Sequence, residues 1–462
     1  MFINRESELD LLEKRFTSGK AELFVLYGRR RVGKTELLAR FCEGKRAVFF
    51  VSDLGSEVSL RSALSSEVNS TLLGRDNISA VYATWEELFK AIGQAAQLER
   101  LVVVLDEFPY LINAYNPLTS ILQRVWDQAL NNSQVMLILC GSYIGMMEDS
   151  VLGYQAPLYG RRTGQYLLEP LQFKDARLFF LDYSLEDQVR TYAVYGGTPA
   201  YLLSLQGTTS LVQNIQDGIL TRGSFLYDEV RFILQQELRE PRNYFAILQA
   251  IAAGKTRLNE IKQATGIDGA TAYLDTLQQL FLVKRRVPVT ETQPHKSRRG
   301  IYRLRDPYLR FWFRYVLPNR SRLERGGAGI ILNNQVIPQL DLFTSLAFED
   351  ICSQALWSLG LAGKLPFIPK NIGNWWNAHE EIDLVVIGET DVMLVECKWT
   401  TKPVGLDILA DLERKTKLIV PRFEDCNTRY ALCSRSGFTD QLVQEAKIRN
   451  DVILFSLLDI LH

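Results

Sequence analysis

A glycine-rich loop between a strand pattern and a helix pattern constrains this chain more than any other feature. Residues 28–35 read GRRRVGKT. The apolar, β-prone run AELFVLY precedes them, and ELLARFC follows with apolar residues at helical spacing. In that context G-x-x-x-x-G-K-[ST] is typical of a loop that cradles phosphates with backbone N–H groups and the N-terminus of the following helix. The pattern therefore predicts a nucleoside triphosphate site.

The residue types within the loop indicate separate roles. Gly28 permits a sharp exit from the strand, and Gly33 lets backbone N–H groups close on an anion. We expect Lys34 to reach the β- and γ-phosphates and the Thr35 hydroxyl to ligate Mg²⁺. The remaining loop residues expected at the nucleotide are Arg29, Arg30, Arg31 and Val32.

Two further strand patterns end in polar residues that suit the same site. The run LVVVLDEF at 101–108 is typical of a strand buried on both faces. At its end Asp106 is expected to hold the Mg²⁺ water shell and Glu107 to orient the attacking water, the alternative being a solvated acidic turn. The run QVMLILCGS predicts another buried strand, with Ser142 at its tip as a sensor of the γ-phosphate.

A pair of arginines precedes the next strand pattern, in YGRRTGQYLLEPL. Arg161 or Arg162 is expected to contact the γ-phosphate, within the same chain or on a neighbouring one. Ordinary surface charge is the alternative, and the sequence favours neither.

The stretches FINRE, GRRRVGKTEL, VVLDEF, CGS, YGRR and GGTPAYL, in this order over residues 1–240, resemble the archaeal-type ATPase family within the STAND branch of P-loop proteins. The resemblance implies a five-stranded parallel sheet, a helical lid, ATP as ligand and slow hydrolysis used as a switch. It also implies that Arg5 lies near the adenine, although Asn4 stands where glycine is usual. A helix N-cap by Asn4 is the other interpretation of this stretch.

The middle of the chain predicts a winged helix-turn-helix. Three short helical patterns from Tyr244 onwards are followed by the strand-like run VKRRVPV. However, residues 263–283 contain no Lys or Arg, and cationic contacts dominate binding to a DNA groove. We therefore expect this module to pack against the ATPase or a partner rather than to read DNA.

A basic region follows, with 13 Lys plus Arg against three acidic residues between Lys284 and Arg325. Interleaved aromatic residues suit a nucleic-acid backbone and unstacked bases, so 284–303 is a candidate nucleic-acid path. For 311–315 we expect aromatic side chains in a core and arginines in solvent. The polar, glycine-rich run PNRSRLERGGAG at 318–329 is typical of a linker.

Near the C-terminal end, EIDLVVIGETDVMLVECKW at 381–399 predicts a hairpin. If Ile387 pairs with Val392, then Asp383 lies opposite Glu396, with Lys398 on the same face. Facing carboxylates destabilise each other unless a cation lies between them, and Mg²⁺ or Mn²⁺ suits carboxylate oxygens. The alternative is a hairpin edge whose charges are solvated.

This D…E-x-K arrangement, with a glutamate on the upstream helix, resembles the PD-(D/E)XK nuclease superfamily. The resemblance implies that Asp383 and Glu396 are metal ligands and that Lys398 is the catalytic lysine. It further implies that Glu349 is an auxiliary metal-binding acid on the helix.

The overall composition limits the remaining classes. Lys plus Arg and Asp plus Glu both number 53, so net charge provides no global attraction to nucleic acid or membrane. No apolar run approaches the ~18 residues of a membrane span, and no signal peptide is apparent. The six cysteines are scattered without C-x-x-C. We therefore expect neither a disulfide framework nor a zinc site, and a cytoplasmic location.

Together these patterns predict an α/β protein with a P-loop parallel sheet and helical lid, a winged helix-turn-helix and a C-terminal mixed α/β nuclease-like domain. The expected ranges are 1–195 for the ATPase core, 196–240 for the lid, 241–305 for the winged helix, 306–340 for a connecting segment and 341–462 for the nuclease-like domain. The predicted function is an ATPase, with ATP and Mg²⁺, that controls a metal-dependent nuclease acting on nucleic acid. The alternative is an ATP-dependent switch that binds a protein or DNA partner through a silent C-terminal domain. A homo-oligomer is compatible with both.

Overall fold

The computed structural model describes residues 3–73, 81–238, 240–419, 423 and 425–461. The chain forms two compact units, residues 1–170 and residues 171–462. Each unit contains a β-sheet of five strands. The predicted α/β class is therefore confirmed.

The first unit is built on a parallel sheet with strand order β2-β3-β4-β1-β5. Its strands are β1 Glu22–Tyr27, β2 Ala47–Val51, β3 Leu101–Asp106, β4 Val135–Gly141 and β5 Gly164–Leu167. Its helices are α1 Glu6–Thr17, α2 Lys34–Cys42, α3 Glu57–Leu73, α4 Trp85–Leu98, α5 Phe108–Ala114, α6 Leu118–Gln128 and α7 Ile144–Met147. Every residue of β1, β3 and β4 is buried, as expected of parallel strands covered on both faces. The carboxyl ends of these strands meet at one edge of the sheet.

The second unit begins with a largely helical region. Its helices are α8 Phe173–Ala176, α9 Leu185–Tyr195, α10 Pro199–Leu202, α11 Leu211–Ile215, α12 Glu229–Glu237, α13 Arg242–Ala252, α14 Leu258–Thr265, α15 Ala270–Gln279, α16 Pro307–Phe311, α17 Arg320–Leu323 and α18 Ala328–Ile331. After α15 the strands β6 Val283–Arg286 and β7 Ile301–Leu304 form an antiparallel ribbon. We call this pair the basic ribbon. Three helices followed by a ribbon is the element order that the sequence predicted here.

The aromatic segment after the basic ribbon lies in a core, as predicted. Phe311, Trp312, Phe313 and Tyr315 are all buried, and the Trp312 indole N–H donates to the Tyr227 carbonyl at 2.7 Å. The expectation that the neighbouring arginines are solvated fails for Arg310. This arginine is half-buried, and its guanidinium lies 3.9 Å from a carboxylate oxygen of Asp350.

The prediction of a linker at 318–329 is wrong, because α17 and the start of α18 lie within it. Leu323 is 1% exposed and anchors the segment in the core. Arg320 donates to Asp228 at 3.2 Å and to Glu324 at 2.8 Å. A single buried leucine and an ion-pair network therefore order a stretch whose composition is mostly polar.

The chain ends in a mixed sheet with strand order β12-β11-β10-β9-β8. The strands are β8 Asn371–Trp376, β9 Glu381–Ile387, β10 Asp391–Lys398, β11 Asn427–Ser434 and β12 Val452–Ser456, and the helices are α19 Ile337–Leu361, α20 Leu406–Ile419, α21 Asp440–Ile448 and α22 Leu457–Leu461. Strands β8 to β10 pair antiparallel, whereas β10 to β12 pair parallel. A separate mixed sheet was predicted for this part of the chain, but β8 was not.

Helices cover both faces of the mixed sheet. Leu409 and Leu412 of α20 pack in one core with Leu394 of β10. Phe348 of α19 meets Trp399, just after β10, with ring centroids 5.1 Å apart. Among the described residues, no helix is both long enough and apolar enough to cross a membrane.

We predict that Trp312→Ala destabilises the second unit by about 3–5 kcal/mol, because it leaves a cavity in a close-packed core and removes the partner of the Tyr227 carbonyl. Denaturant unfolding followed by circular dichroism would measure the change. Trp357→Ala is the control, since that side chain is 40% exposed and should cost far less. Equal losses in the two variants would contradict the core assignment.

Candidate functional site

The loop between β1 and α2 is shaped by its two glycines. Gly28 has φ 155°, and a Cβ atom there would lie 2.4 Å from the Leu168 carbonyl oxygen. Gly33 caps α2 in the left-handed conformation, with φ 93°. Both positions would strain an L-residue with a side chain, so the backbone itself explains why glycine stands at each.

Lys34 is the first residue of α2, and its side chain folds back into the loop. The ammonium donates to the Gly28 carbonyl at 2.9 Å and to the Arg29 carbonyl at 3.0 Å. Burial lowers the pKa of Lys34, although the charges of Asp106 and Glu107 oppose that shift. A buried ammonium held beside the carbonyls of residues 28 and 29 is suited to bind an anion.

The end of β3 joins the loop through a direct hydrogen bond. The Thr35 hydroxyl donates to Asp106 Oδ2 at 2.5 Å, and the Glu107 N–H donates to Asp106 Oδ1 at 2.9 Å. Asp106 is 1% exposed. One hydroxyl and one carboxylate at the edge of the sheet form a donor set of the kind Mg²⁺ prefers, so these residues fit the predicted ion.

Glu107 adopts a strained backbone conformation beside the loop. Its φ is 50°, which a non-glycine residue rarely adopts. The Ser142 hydroxyl donates to Glu107 Oε1 at 2.7 Å. Within the described part of the chain, Glu107 Oε2 is buried without a hydrogen-bond partner. That oxygen can accept a hydrogen bond from a water molecule or a ligand.

Two tyrosines that sequence reasoning missed connect these segments. The Arg30 guanidinium donates to the hydroxyls of Tyr110 at 3.1 Å and Tyr143 at 2.9 Å, and it also lies over the Tyr143 ring. Tyr143 follows Ser142 directly in the chain. Arg30 therefore ties the loop to α5 and to the end of β4. Arg29 and Arg31 are half-buried in the same loop, and Val32 is buried.

Arg5 fixes the loop from the other side. Its guanidinium donates to the Val32 carbonyl at 3.1 Å, to the Glu169 carbonyl at 2.7 Å and to the Glu8 carboxylate at 2.9 Å. Burial alone would raise the pKa of Glu8, but hydrogen bonds from Ser7 and Arg5 lower it. The interpretation of Asn4 as an N-cap is wrong, because Arg5 occupies that position without a side-chain cap. Adenine contact by Arg5 stays a prediction.

The structure does not bring Arg161 into this hydrogen-bond network. Its guanidinium forms an ion pair with Asp127 at 3.0 Å and also donates to the Tyr159 carbonyl. Arg162 donates to the Leu152 carbonyl at 2.7 Å. Contact of either arginine with the γ-phosphate stays a prediction.

The second candidate site lies in the mixed sheet, and its predicted register is confirmed. Val392 pairs with Ile387, and the pairing continues to Val395 with Leu384. The observed pairs end there, one residue before Asp383 and Glu396, whose charges influence each other. Asp383 Oδ2 accepts from the Cys397 N–H at 2.8 Å, and the Lys398 ammonium donates to Glu396. We call Asp383, Glu396 and Glu349 the carboxylate cluster.

Electrostatics in the carboxylate cluster favour an added cation. Burial and the charges of Glu396 and Glu349 raise the pKa of Asp383 to about 8. Burial also raises the pKa of Glu349 to about 7, although Arg303 opposes the shift. For Lys398, burial lowers the pKa, but the hydrogen bond to Glu396 and the nearby acids outweigh it and raise the pKa. Carboxylates are the ligands that Mg²⁺ and Mn²⁺ prefer, so these residue types suit a divalent ion.

A second lysine near Glu396 was not predicted. Lys415 of α20 is buried, and its ammonium lies 4.0 Å from Glu396 Oε2 and 3.0 Å from Asp411 Oδ2. Asp411 and Lys415 are four residues apart, a spacing typical of helix ion pairs. The spacing does not predict that Lys415 approaches Glu396 on β10, because that contact depends on how α20 packs on the sheet.

The basic ribbon contacts α19 beside the carboxylate cluster. Arg286 donates to Asp350, and Lys284 lies 3.5 Å from the same carboxylate. Burial would raise the pKa of Asp350, but the charges of Arg286, Lys284 and Arg310 hold it well below its ordinary value. Arg303 lies 3.8 Å from Glu349. Three of the ribbon's cationic side chains thus lie close to acids of α19.

Comparison with known proteins agrees with the site in the first unit. Residues 2–205 match a family described as an ATPase domain predominantly from Archaea, and residues 312–415 match one described as Archaea bacterial proteins of unknown function. The chain is 34% identical over 465 residues to the uncharacterized protein MJECL04 of Methanocaldococcus jannaschii, covering 99% of this chain and 100% of the relative. The chain belongs to this archaeal ATPase family.

Two further similarities involve parts of this archaeal ATPase. Over 46 residues it is 54% identical to the uncharacterized ATP-binding protein MJ0423 of Methanocaldococcus jannaschii, covering 10% of this chain and 78% of that protein. The Walker-type ATPase paby2304 of Pyrococcus abyssi is a solved structure with 22% identity and a TM-score of 0.47. That match covers 68% of this chain and 96% of the other.

We predict that Arg5→Lys lowers the stability of the archaeal ATPase by about 1–3 kcal/mol, because an ammonium cannot replace a guanidinium bound to two carbonyls and a carboxylate. Thermal unfolding would measure the loss. Arg40→Lys is the matched control, since Arg40 and its partner Glu43 have exposed side chains. An Arg5 variant as stable as the Arg40 variant would contradict the bridging role.

Proposed function

We propose that this archaeal ATPase is a nucleotide-controlled switch that regulates a metal-dependent nuclease acting on nucleic acid. The single observation that carries the proposal is that the chain has two sets of residues suited to phosphate chemistry. One is a loop in which Thr35 is bonded to Asp106 beside Lys34, and the other is a group of buried and half-buried acids with a lysine. Each set has the residue types that phosphate chemistry needs.

In the ATPase site, Lys34 would contact the β- and γ-phosphates, and the loop N–H groups would hold them. Thr35 and Asp106 would hold Mg²⁺, which draws charge from the phosphates when bound. Glu107 would orient the attacking water through Oε2, while Ser142 fixes the other carboxylate oxygen. The strained Glu107 backbone supports this role, since such conformations cluster at functional sites.

In the C-terminal domain, Asp383, Glu396 and Glu349 would hold Mg²⁺ or Mn²⁺, which supplies Lewis-acid stabilisation of a phosphodiester. Lys398 would stabilise the negative charge that develops as water attacks phosphorus and the ester oxygen leaves. Its hydrogen bond to Glu396 keeps the ammonium at the cluster. These assignments follow the PD-(D/E)XK resemblance.

Nucleic acid would reach this domain along exposed cations beside the basic ribbon. Lys284, Arg286 and Arg303 lie close to acids of α19. We therefore restrict the proposed nucleic-acid path to the exposed residues within 284–303. Lys296 and Arg298, in the loop of the ribbon, are exposed and suited to contact phosphates. This loop corresponds to the wing of the winged helix that we infer for α13–β7.

The second candidate function is an ATP-dependent switch whose C-terminal domain binds a partner without cutting. Ion pairing inside the carboxylate cluster favours it, because Lys398 and Lys415 both approach Glu396, and Arg303 approaches Glu349. Internal cations of this kind can replace a divalent ion.

We predict that Lys34→Ala abolishes ATP binding, whereas Glu107→Gln keeps binding and traps ATP, because only the latter leaves the loop intact while removing the water-orienting carboxylate. Two measurements would separate these effects. The nucleotide retained after desalting reports binding, and the rate of phosphate release reports hydrolysis. Lys14→Ala is the control for loss of a lysine, because Lys14 is exposed on the surface of α1. Turnover of Glu107→Gln equal to that of the wild type would rule out the proposed role.

We predict that the wild-type protein binds Mn²⁺ at the C-terminal site and cleaves DNA or RNA, and that Asp383→Ala loses both properties. Calorimetry in Lys34→Ala background would isolate the metal site from the nucleotide site. Glu389→Ala is the control, because Glu389 is exposed in the turn of the same hairpin. Metal binding without cleavage under any nucleotide condition would favour the silent switch, and cleavage unchanged in Asp383→Ala would refute the nuclease assignment.

A further inference from the structure

Three cysteines converge in the C-terminal domain. Cys352 lies on α19, Cys397 on β10 and Cys433 on β11. The three Sγ atoms all lie within 4.8 Å of one another. None of the three belongs to the carboxylate cluster, so they form a separate group of metal-ligating side chains.

The topology of the sheet creates this convergence. Cys397 and Cys433 are register partners on the parallel strands β10 and β11, so their side chains lie next to each other. Cys397 points to the opposite face of β10 from its neighbours Glu396 and Lys398, because side chains alternate along a strand. Helix α19, which also places Phe348 against Trp399, adds Cys352 on that face. The Cys397 thiol and the Glu396 carboxylate therefore point to different sides of β10.

The spacing of the sulfur atoms suits one shared metal ion. With metal–sulfur bonds of about 2.3 Å, three sulfurs around one ion lie about 3.7–4.0 Å apart. Sulfurs within 4.8 Å of one another reach that spacing by side-chain movements of less than about 1 Å each. All three are free thiols, and Cys352 and Cys433 are 0% and 1% exposed, so water competes little for such an ion.

We propose that Cys352, Cys397 and Cys433 bind one thiophilic d¹⁰ metal ion, Zn²⁺ or Cu(I), as a structural site that joins α19 to β10 and β11. Thiolate sulfur selects such ions, whereas carboxylate oxygen selects Mg²⁺ or Mn²⁺. In this proposal the sulfur site takes Zn²⁺ or Cu(I) and the carboxylates take Mg²⁺ or Mn²⁺, because the two sites differ in the type of ligand atom. Binding displaces one proton from each thiol that becomes a thiolate ligand, so apparent affinity rises with pH. This inference does not depend on the proposed nuclease.

The competing explanation is packing, since buried cysteine often acts as a small apolar side chain. Only the metal-site explanation requires the three sulfurs to bind one ion together. They also differ in stability, because a metal that binds the folded state alone stabilises it in proportion to the logarithm of its concentration.

The test is a titration of the full-length reduced protein with Cd²⁺, followed by its thiolate-to-metal ultraviolet absorption. We expect one equivalent to saturate the wild type, and Cys352→Ser and Cys433→Ser to bind at least about tenfold more weakly. Cys42→Ser and Cys426→Ser are matched controls outside the group and should titrate like the wild type. Elemental analysis of the purified protein and competition with a Cu(I) chelator distinguish Zn²⁺ from Cu(I).

A second measurement uses the wild type alone, so it applies even if the variants fail to fold. In the wild type, one equivalent of Zn²⁺ or Cu(I) should protect three of the six thiols from alkylation, as counted by mass spectrometry, and should raise the melting temperature until a chelator is added. No Cd²⁺ absorption, or no metal-dependent protection of these three thiols, would overturn the proposal. So would an undiminished Cd²⁺ signal in folded Cys352→Ser and Cys433→Ser.

Discussion

The hydrogen bond between Thr35 and Asp106 is the contact on which the nucleotide site depends. It joins the first residues of α2 to the carboxyl end of β3, two segments that lie 71 residues apart in the chain. Around it, Arg5 fixes the loop at Val32, and Arg30 connects the loop to Tyr110 and Tyr143. Each bond is buried or half-buried, so it is stronger than it would be in water. The loop is therefore preorganised for an anion by bonds to the sheet edge rather than by its own sequence alone.

The C-terminal domain faces an electrostatic constraint of the opposite kind, since several of its acids are half-buried near one another. Two responses are visible. Asp350 is neutralised by Lys284 and Arg286 of the basic ribbon and by Arg310 of α16, so these cations are less available to other partners. Asp383 and Glu349 have fewer compensating charges, and their raised pKa values record the difference. A structural acid and a candidate metal-binding acid thus stand side by side on α19 with different surroundings.

Much of this could be predicted from the sequence where the relevant contacts are local or fixed by register. The strand–loop–helix at 21–42 is a local pattern, and the turn between Ile387 and Val392 sets the pairing of β9 with β10 as far as Leu384 and Val395. Strand β8 was missed because NIGNWW lacks alternation and contains two Asn and one Gly, which disfavour strands. Tyr110, Tyr143 and Lys415 were missed for another reason, because their roles arise only from the packing of separate elements. The pairing of Cys397 with Cys433 was missed in the same way, since these cysteines are far apart in sequence and meet on neighbouring strands.

Helix α19 places Glu349, Asp350 and Cys352 within a single turn. Glu349 lies near Arg303 and Asp350 contacts Arg286, both in the basic ribbon, whereas Cys352 meets the sulfurs of two strands. Inserting or deleting one residue near this turn would rotate everything beyond it by about 100° and disrupt all three relationships together. Single-residue length changes should therefore be far rarer here among homologues than side-chain replacements at Leu342 or Leu361, which are exposed on the same helix.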